Sequence, residues 1–230
     1  VNIQDRNVGN RGDVVKHAAL VAIANAMRAR TPGPIRHVET HTFRLVAPLV
    51  DAAGWAARAA GLDTYAAYEA PWVARGLYRC SAGLAADVLG PPCRLLLAEA
   101  HPPTRAALGE ALVDEGLSVD ALVDDAHALL TLPPGEPAPL LLHVDPFDHP
   151  SGYWPVVEHL LARWRRPDQD AAVLAFAYDK RAPIHWPDPP GGLAPLGRLD
   201  AAPYGLAAWA TPALAAGVCS ALTTMSWARD

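Results

Sequence analysis

Apolar positions along the chain switch repeatedly between a helical and an extended rhythm. From Asp13 to Arg30, Val14, Val15, Ala18, Ala19, Ala22 and Ala26 recur near the helical period of about 3.6 residues, and Thr31-Pro32-Gly33-Pro34 stops the run. Ile35 to Glu39 reads as a short strand. Val46 to Ala60 and Thr64 to Arg75 read as alanine-rich helices. Arg94 to Ala98 is an apolar strand, Pro103 to Glu115 a helix with proline in its first turn, Leu117 to Val123 a strand and Ala126 to Thr131 a short helix. Leu140 to Val144 is a further buried strand, followed by a helix over Tyr153 to Trp164 and a strand over Ala171 to Ala177. Residues 183–204, rich in proline and glycine, predict irregular chain, and Val218 to Trp227 predicts a late strand.

Strands alternating with helices, several of them apolar throughout, indicate a parallel sheet covered on both faces, an α/β architecture. Ligands in such folds sit beyond the carboxyl ends of strands. Glu39-Thr40-His41, Glu99-Ala100-His101, Asp124-Asp125 and Asp145-Pro146-Phe147-Asp148 each follow an apolar strand and are the places to look. No repeat or linker divides the 230 residues, so one domain over 1–230 is expected, with a short helical insertion around 46–78.

The composition, 51% hydrophobic and 19% charged, is that of a packed globular chain. The net charge of -5 argues against structured RNA as a partner, since each phosphate contact needs a cation. Arginine supplies nearly all the positive charge; Lys16 and Lys180 are the two lysines. Cys80, Cys93 and Cys219 are scattered, with no CxxC pair, so no zinc site and a reducing cytoplasmic setting are expected. The apolar stretch Leu206 to Val218 is too short to span a membrane and is interrupted by Pro212. No Ser-His-Asp spacing, P-loop or glycine-x-glycine-x-x-glycine pattern occurs. His41 and His101 invite a metal, but no third ligand is suitably spaced, and hydrogen-bonded structural roles are expected. Trp154, Trp164 and Trp186 read as packing residues.

Three passages together resemble the RlmJ-type adenine methyltransferases of bacterial ribosomal RNA. They are Gly9-Asn10-Arg11-Gly12-Asp13-Val14-Val15-Lys16-His17, Glu99-Ala100-His101-Pro102 and Asp145-Pro146-Phe147-Asp148, in the family's order and approximate spacing, with Leu132-Pro133-Pro134 also in place. The resemblance implies a Rossmann-like class I methyltransferase fold. It implies that Asp145 and the Pro146 carbonyl receive an amine, with Phe147 or Trp154 as an aromatic face, and that Lys16, Glu99 and Asp124 stand at family site positions. The chain departs from the family in three places. The glycine-bearing cofactor loop is replaced by Thr40-His41-Thr42-Phe43-Arg44-Leu45, whose bulky side chains are expected to fill the cofactor space. Asn2-Ile3-Gln4-Asp5-Arg6-Asn7 replaces a tyrosine- and histidine-bearing start. The insertion is shorter.

These readings converge on a methyltransferase-fold enzyme of specialised, antibiotic-type metabolism that needs no cofactor. Its expected reaction is an intramolecular attack of an amine on a carbon bearing sulfate or phosphate, closing a ring of the aziridine type. Asp145, Asp148 and Lys16 are the expected catalytic groups. Asn10, Arg11, His17, His41, Arg44, Glu99, Phe147 and His149 are the expected substrate contacts. Arg44, with Arg11, suits an anion; a salt bridge to Asp51 or Glu39 is the plainer role. For Lys16 and His17 the plainer roles are a solvated lysine and a histidine bonded to a nearby loop; for Asp145 to His149 it is a turn. Two other readings remain open: an S-adenosylmethionine-dependent adenine methyltransferase, and a non-catalytic scaffold or partner subunit docking through Ala201 to Leu222, whose own plainer role is core.

Overall fold

The computed structural model describes residues 8–133, 135–146, 150–178, 184, 186, 188–201 and 204–223. The chain opens with α1 (Arg11–Arg30) and enters the sheet as β1 (Ile35–Glu39). An insertion follows: β2 (Val46–Pro48), α2 (Ala52–Ala59), α3 (Asp63–Val73) and β3 (Leu77–Arg79). Then come α4 (Ser81–Leu89), β4 (Cys93–Ala98), α5 (Pro102–Asp114), β5 (Val119–Val123), a 3-10 turn at Ala126–Thr131, β6 (Leu140–Val144), α6 (Trp154–Trp164) and β7 (Ala171–Tyr178). β8 (Ala194–Ala201), β9 (Tyr204–Ala210) and α7 (Pro212–Thr223) complete the fold.

Seven strands form one sheet in the order β5-β4-β1-β6-β7-β9-β8, while β2 and β3 pair as a separate antiparallel ribbon. β5, β4, β1, β6 and β7 run parallel; β9 runs antiparallel between β7 and β8. All five residues of β1 and of β6 are buried; the apolar run of β6 anticipates this, whereas β1 buries Arg36, His37 and Glu39 as well. The chain leaves β1 toward β4 and β5, then returns to β6 on the other side of β1. Strand order therefore reverses between β1 and β6, where this class of fold opens a crevice. One face packs against α1, α4, α5 and α7 and the other against α6 and the 3-10 turn.

Three expectations need correction. Val46 to Ala60 is not one helix: Val46–Pro48 pairs with β3, and α2 starts only after Asp51, whose side chain accepts the Gly54 N–H at 2.8 Å. Residues 183–204 are not wholly irregular: β8 is an edge strand, where Pro195 is tolerated because no neighbour needs its missing N–H, and the register shifts there. Val218 to Thr223 belongs to α7, not to a strand; Pro212 opens that helix at its first position, where a missing N–H costs nothing. Trp227 lies outside the described residues. Within the stretch Ala201 to Leu222, β9 is an internal strand, and among the described side chains Trp209, Leu214 and Val218 are buried in the core. Among the described residues, no helix is long and apolar enough to cross a membrane.

Arg79 ties the insertion to the rest. It is 1% exposed, yet its guanidinium binds both oxygens of Asp87 at 2.9 Å and both of Glu115 at 2.8 and 2.7 Å, under the Trp72 ring. Gly83 makes room for it: a Cβ there would lie 2.6 Å from the guanidinium and 2.8 Å from the Leu45 carbonyl. Replacing Gly83→Ala is expected to destabilise the fold by about 1–3 kcal/mol, read by denaturant unfolding.

Glu69 on α3 is fully buried; one oxygen accepts the Arg79 N–H at 3.0 Å and the other has no partner among the described residues. Burial pushes its carboxyl up to about 8 against the pull of that hydrogen bond and of the Arg79 charge. The folded form thus keeps a proton that the unfolded chain releases near the ordinary carboxylate value. Stability from this residue is complete in acid and is lost as pH rises toward about 8. Glu69→Gln should flatten that decline in a series of melting curves across the range.

Candidate functional site

Lys16 on α1 reaches across to the carboxyl end of β6, where its Nζ lies 2.5 Å from Asp145 Oδ2 and 3.0 Å from Asp13 Oδ1. Lys16 is buried; the Asp145 and Asp13 side chains are each 22% exposed. Burial alone would pull the lysine down, but the two carboxylates outweigh it and hold Lys16 firmly cationic. The ammonium also lies 5.2 Å from the centre of the Phe176 ring. The expected solvated lysine is thus a buried one.

The start of α1 is fixed to suit. Asn10 caps the helix by accepting the Asp13 N–H at 3.1 Å, and Asp13 Oδ2 accepts the Gly9 N–H at 3.0 Å. Gly9 adopts φ +75°, and a Cβ there would meet Leu49 at 2.9 Å. Arg58 of α2 donates to the Gly9 carbonyl at 3.0 Å. Asp13 therefore serves the cap with one oxygen and Lys16 with the other. The amino end of α1, with Arg11 beside the cap, sits at the carboxyl edge of the sheet.

Beneath this pair lies a second polar group. Glu39 Oε1 accepts from His37 Nε2 at 3.0 Å and from His143 Nδ1 at 3.1 Å, all three side chains being essentially inaccessible. Burial would raise the Glu39 carboxyl, yet the two histidines draw it well below the usual range. β1 and β6 are in register at Glu39 and His143, so Asp145, two residues on, extends beyond the last pair on the same face. His17 packs above: its Nδ1 is 2.8 Å from the Tyr78 hydroxyl, and the rings stack at 5.3 Å.

The segment after β1 is held on both sides by backbone bonds from Thr42 to Ala98 at 2.7 Å and from Cys80 to Leu45 at 2.9 Å. Phe43 and Arg44 stand half-buried at this edge, the guanidinium 4.9 Å from the ring centre. Leu45 does not project into the cofactor space as expected; its side chain belongs to the core. Arg44 does not take its expected partners: Asp51 is bound by Arg58 at 3.3 Å and Glu39 by the histidines. His41 bonds Thr40 at 2.8 Å and stands edge-on to Tyr153, and His101 bonds Thr104 at 2.8 Å. Among the described residues no cluster fits a metal ion.

Glu99 follows β4 but is turned to local use. It accepts the His101 N–H at 2.7 Å, and burial raises its carboxyl. Phe147, Asp148 and His149 lie outside the described residues. Of the expected site, Lys16, Asp145, His17, Asn10 and Arg11 gather around the first turns of α1. Arg44 and His41 lie on the neighbouring loop, and Glu99 one strand further out. Sequence reasoning missed Asp13, His37, His143 and Tyr78. Asp13 lies one helical turn before Lys16, and His37 and His143 share strand parity with Glu39 and Asp145, which are the signals available.

No protein-family model matches the chain, and no curated protein is similar to it in sequence. Among solved structures it is similar to protein LPL1258 of Legionella pneumophila, described under the family DUF519, at 19% identity over 94% of this chain and 92% of that one, with a TM-score of 0.63. A methyltransferase from Geobacter sulfurreducens matches at 13% identity over 84% and 77% of the two chains, TM-score 0.46. A SAM-dependent methyltransferase from Aquifex aeolicus matches at 13% over 77% and 81%, TM-score 0.40. Identity this low speaks for fold and not for activity. The chain has a Rossmann-like, class I methyltransferase-type fold, a mixed seven-stranded sheet flanked by helices.

Proposed function

We propose that this chain is an enzyme of specialised metabolism that binds a small amine-bearing substrate and forms a C–N bond within it, without S-adenosylmethionine. The observation that carries the reading is the Lys16–Asp145 pair at the reversal of strand order. Lys16 holds Asp145 Oδ2, while Oδ1 takes no hydrogen bond from the described residues, in a side chain that keeps 22% of its surface open. A carboxylate fixed at one oxygen and open at the other is suited to accept an amine N–H.

The step follows from that placement. The amine lone pair attacks a neighbouring carbon carrying a sulfate or phosphate ester. The C–N bond forms as the C–O bond breaks, and the electron pair leaves with the anion's oxygen. The proton lost by nitrogen passes to Asp145. Most of the rate comes from orientation and from stabilising the departing charge. The amino end of α1, with Arg11, and Arg44 at the loop supply positive potential for that anion.

Support for leaving out S-adenosylmethionine comes from the loop after β1. The first glycine beyond Glu39 is Gly54, so no residue of 40–53 lets backbone approach a ligand without a side chain between. Phe43 and Arg44 stand at that edge, and one oxygen of Glu99 is engaged by the His101 N–H.

Two measurements test the proposal. Incubated with vicinal amino-alcohol O-sulfates, of which 2-aminoethyl hydrogen sulfate is the simplest, the protein should release inorganic sulfate and leave the ring-closed amine, seen by mass. Asp145→Asn should cut the rate by about 100-fold or more while the protein still folds; an unchanged rate overturns the assignment. Calorimetric titration with S-adenosylmethionine should show no binding. Micromolar affinity would instead restore the methyltransferase reading.

A further inference from the structure

The insertion delivers a continuous chain of buried hydrogen bonds to α1. Trp55 Nε1 lies 3.1 Å from the Tyr65 hydroxyl, Tyr65 3.0 Å from the Tyr78 hydroxyl, and Tyr78 2.8 Å from His17 Nδ1. Its direction can be deduced. An indole N–H only donates, so Tyr65 must accept from Trp55. The Tyr65 proton then has one acceptor available, the Tyr78 oxygen, and the Tyr78 proton has one in turn, His17 Nδ1. Any reversal leaves one of the two hydroxyl protons buried without an acceptor among the described residues, at a cost of about 1–3 kcal/mol. Burial raises both phenols well above their ordinary value, so each stays protonated and able to donate.

The consequence falls on the other nitrogen of His17. With Nδ1 accepting, a neutral ring must carry its proton on Nε2. The groups facing His17 are Lys16 on its own helix, Tyr78 of β3, Glu39 of β1 and His143 of β6. Glu39 Oε2 and His143 Nε2 are buried and have no donor among the described residues.

We infer that Tyr78, oriented through Tyr65 by Trp55, is a positioning residue that locks His17 as its neutral Nε2–H tautomer. It thereby presents a hydrogen-bond donor, and not a second cation, under the Lys16–Asp145 site. Burial, and then the adjacent Lys16 charge, hold the His17 imidazole well below its ordinary value, in the same sense. The insertion thus acquires a task inside the site that its sequence does not announce. A His17–Tyr78 contact that set no tautomer would leave Nδ1 free to donate to Tyr78, and this is the distinction to measure.

The test is side-chain nitrogen NMR on the whole, histidine-labelled protein from about pH 6 to about pH 8. His17, assigned by its disappearance in His17→Gln, should show a pyrrole-type Nε2 and a pyridine-type Nδ1 throughout. A protonated Nδ1, or an imidazolium in that range, overturns the inference whether or not Tyr78→Phe folds. In Tyr78→Phe the Nδ1 signal should move toward the pyrrole type, with imidazolium appearing at the acid end; an unaltered His17 spectrum overturns the positioning role. Neither readout needs turnover, so failure of the proposed C–N chemistry leaves this inference standing, and the reverse.

Discussion

Lys16 is the constraint on which the rest of the site depends. An ammonium taken out of water carries a desolvation penalty of several kcal/mol, and it persists in a fold only against close, well-placed opposite charge. Here two carboxylates supply it, and they come from different places: Asp13 from the first turn of the same helix, Asp145 from the end of β6. The pairing therefore sets how α1 lies over the sheet as well as what charge the lysine carries. Two carboxylates thus face one ammonium, and Asp145 Oδ1 takes no hydrogen bond from the described residues. The amino end of α1 and Arg11 lie close by with the opposite sign, the one that suits a departing anion. One helix thus brings both polarities to one edge of the sheet.

The order of that arrangement rests on shared atoms. Asp13 gives one oxygen to Lys16 and the other to the Gly9 N–H, so the helix cap and the site cannot be changed independently. Arg58 reads the same turn from the insertion, through the Gly9 carbonyl. Arg79, a few residues on, pins the insertion to α4 and to the end of α5 through Asp87 and Glu115. The small β2-β3 ribbon with its two helices is consequently part of the frame that holds the first turns of α1, and not a decoration on it.

Much of the fold was legible in the sequence because its strands are buried on both faces. Leu95-Leu96-Leu97 and Leu140-Leu141-Leu142 leave little else for those segments to be, and the residues placed after their ends, Glu99 and Asp145, do follow the strands. What escaped was set by partners remote in sequence. Val46–Pro48 became a strand because β3 lies beside it, and Pro195 was accommodated because β8 has an open edge. The alanine-rich runs of α4 and β9 carry no clear period of either kind. Of the site, Lys16 and Asp145 were readable, but nothing in the local pattern says that a lysine among alanines will be buried. That follows from Asp145, separated from it by most of the chain.

The polar core beneath the pair completes the reasoning. Three inaccessible side chains, His37, Glu39 and His143, sit at the very crossing where strand order reverses, a position an apolar trio would fill at lower cost. A low-dielectric interior strengthens each of their bonds and penalises each unpaired atom. Above them, His17 meets the same requirement from the other side, with its proton placed by a chain of hydroxyls that begins at Trp55. Of the carboxylates described under α1, Asp145 and Asp13 reach the surface, and Asp145 stands at a strand end with an oxygen that takes no hydrogen bond from the described residues. That is the physical reason the chemistry is assigned to it.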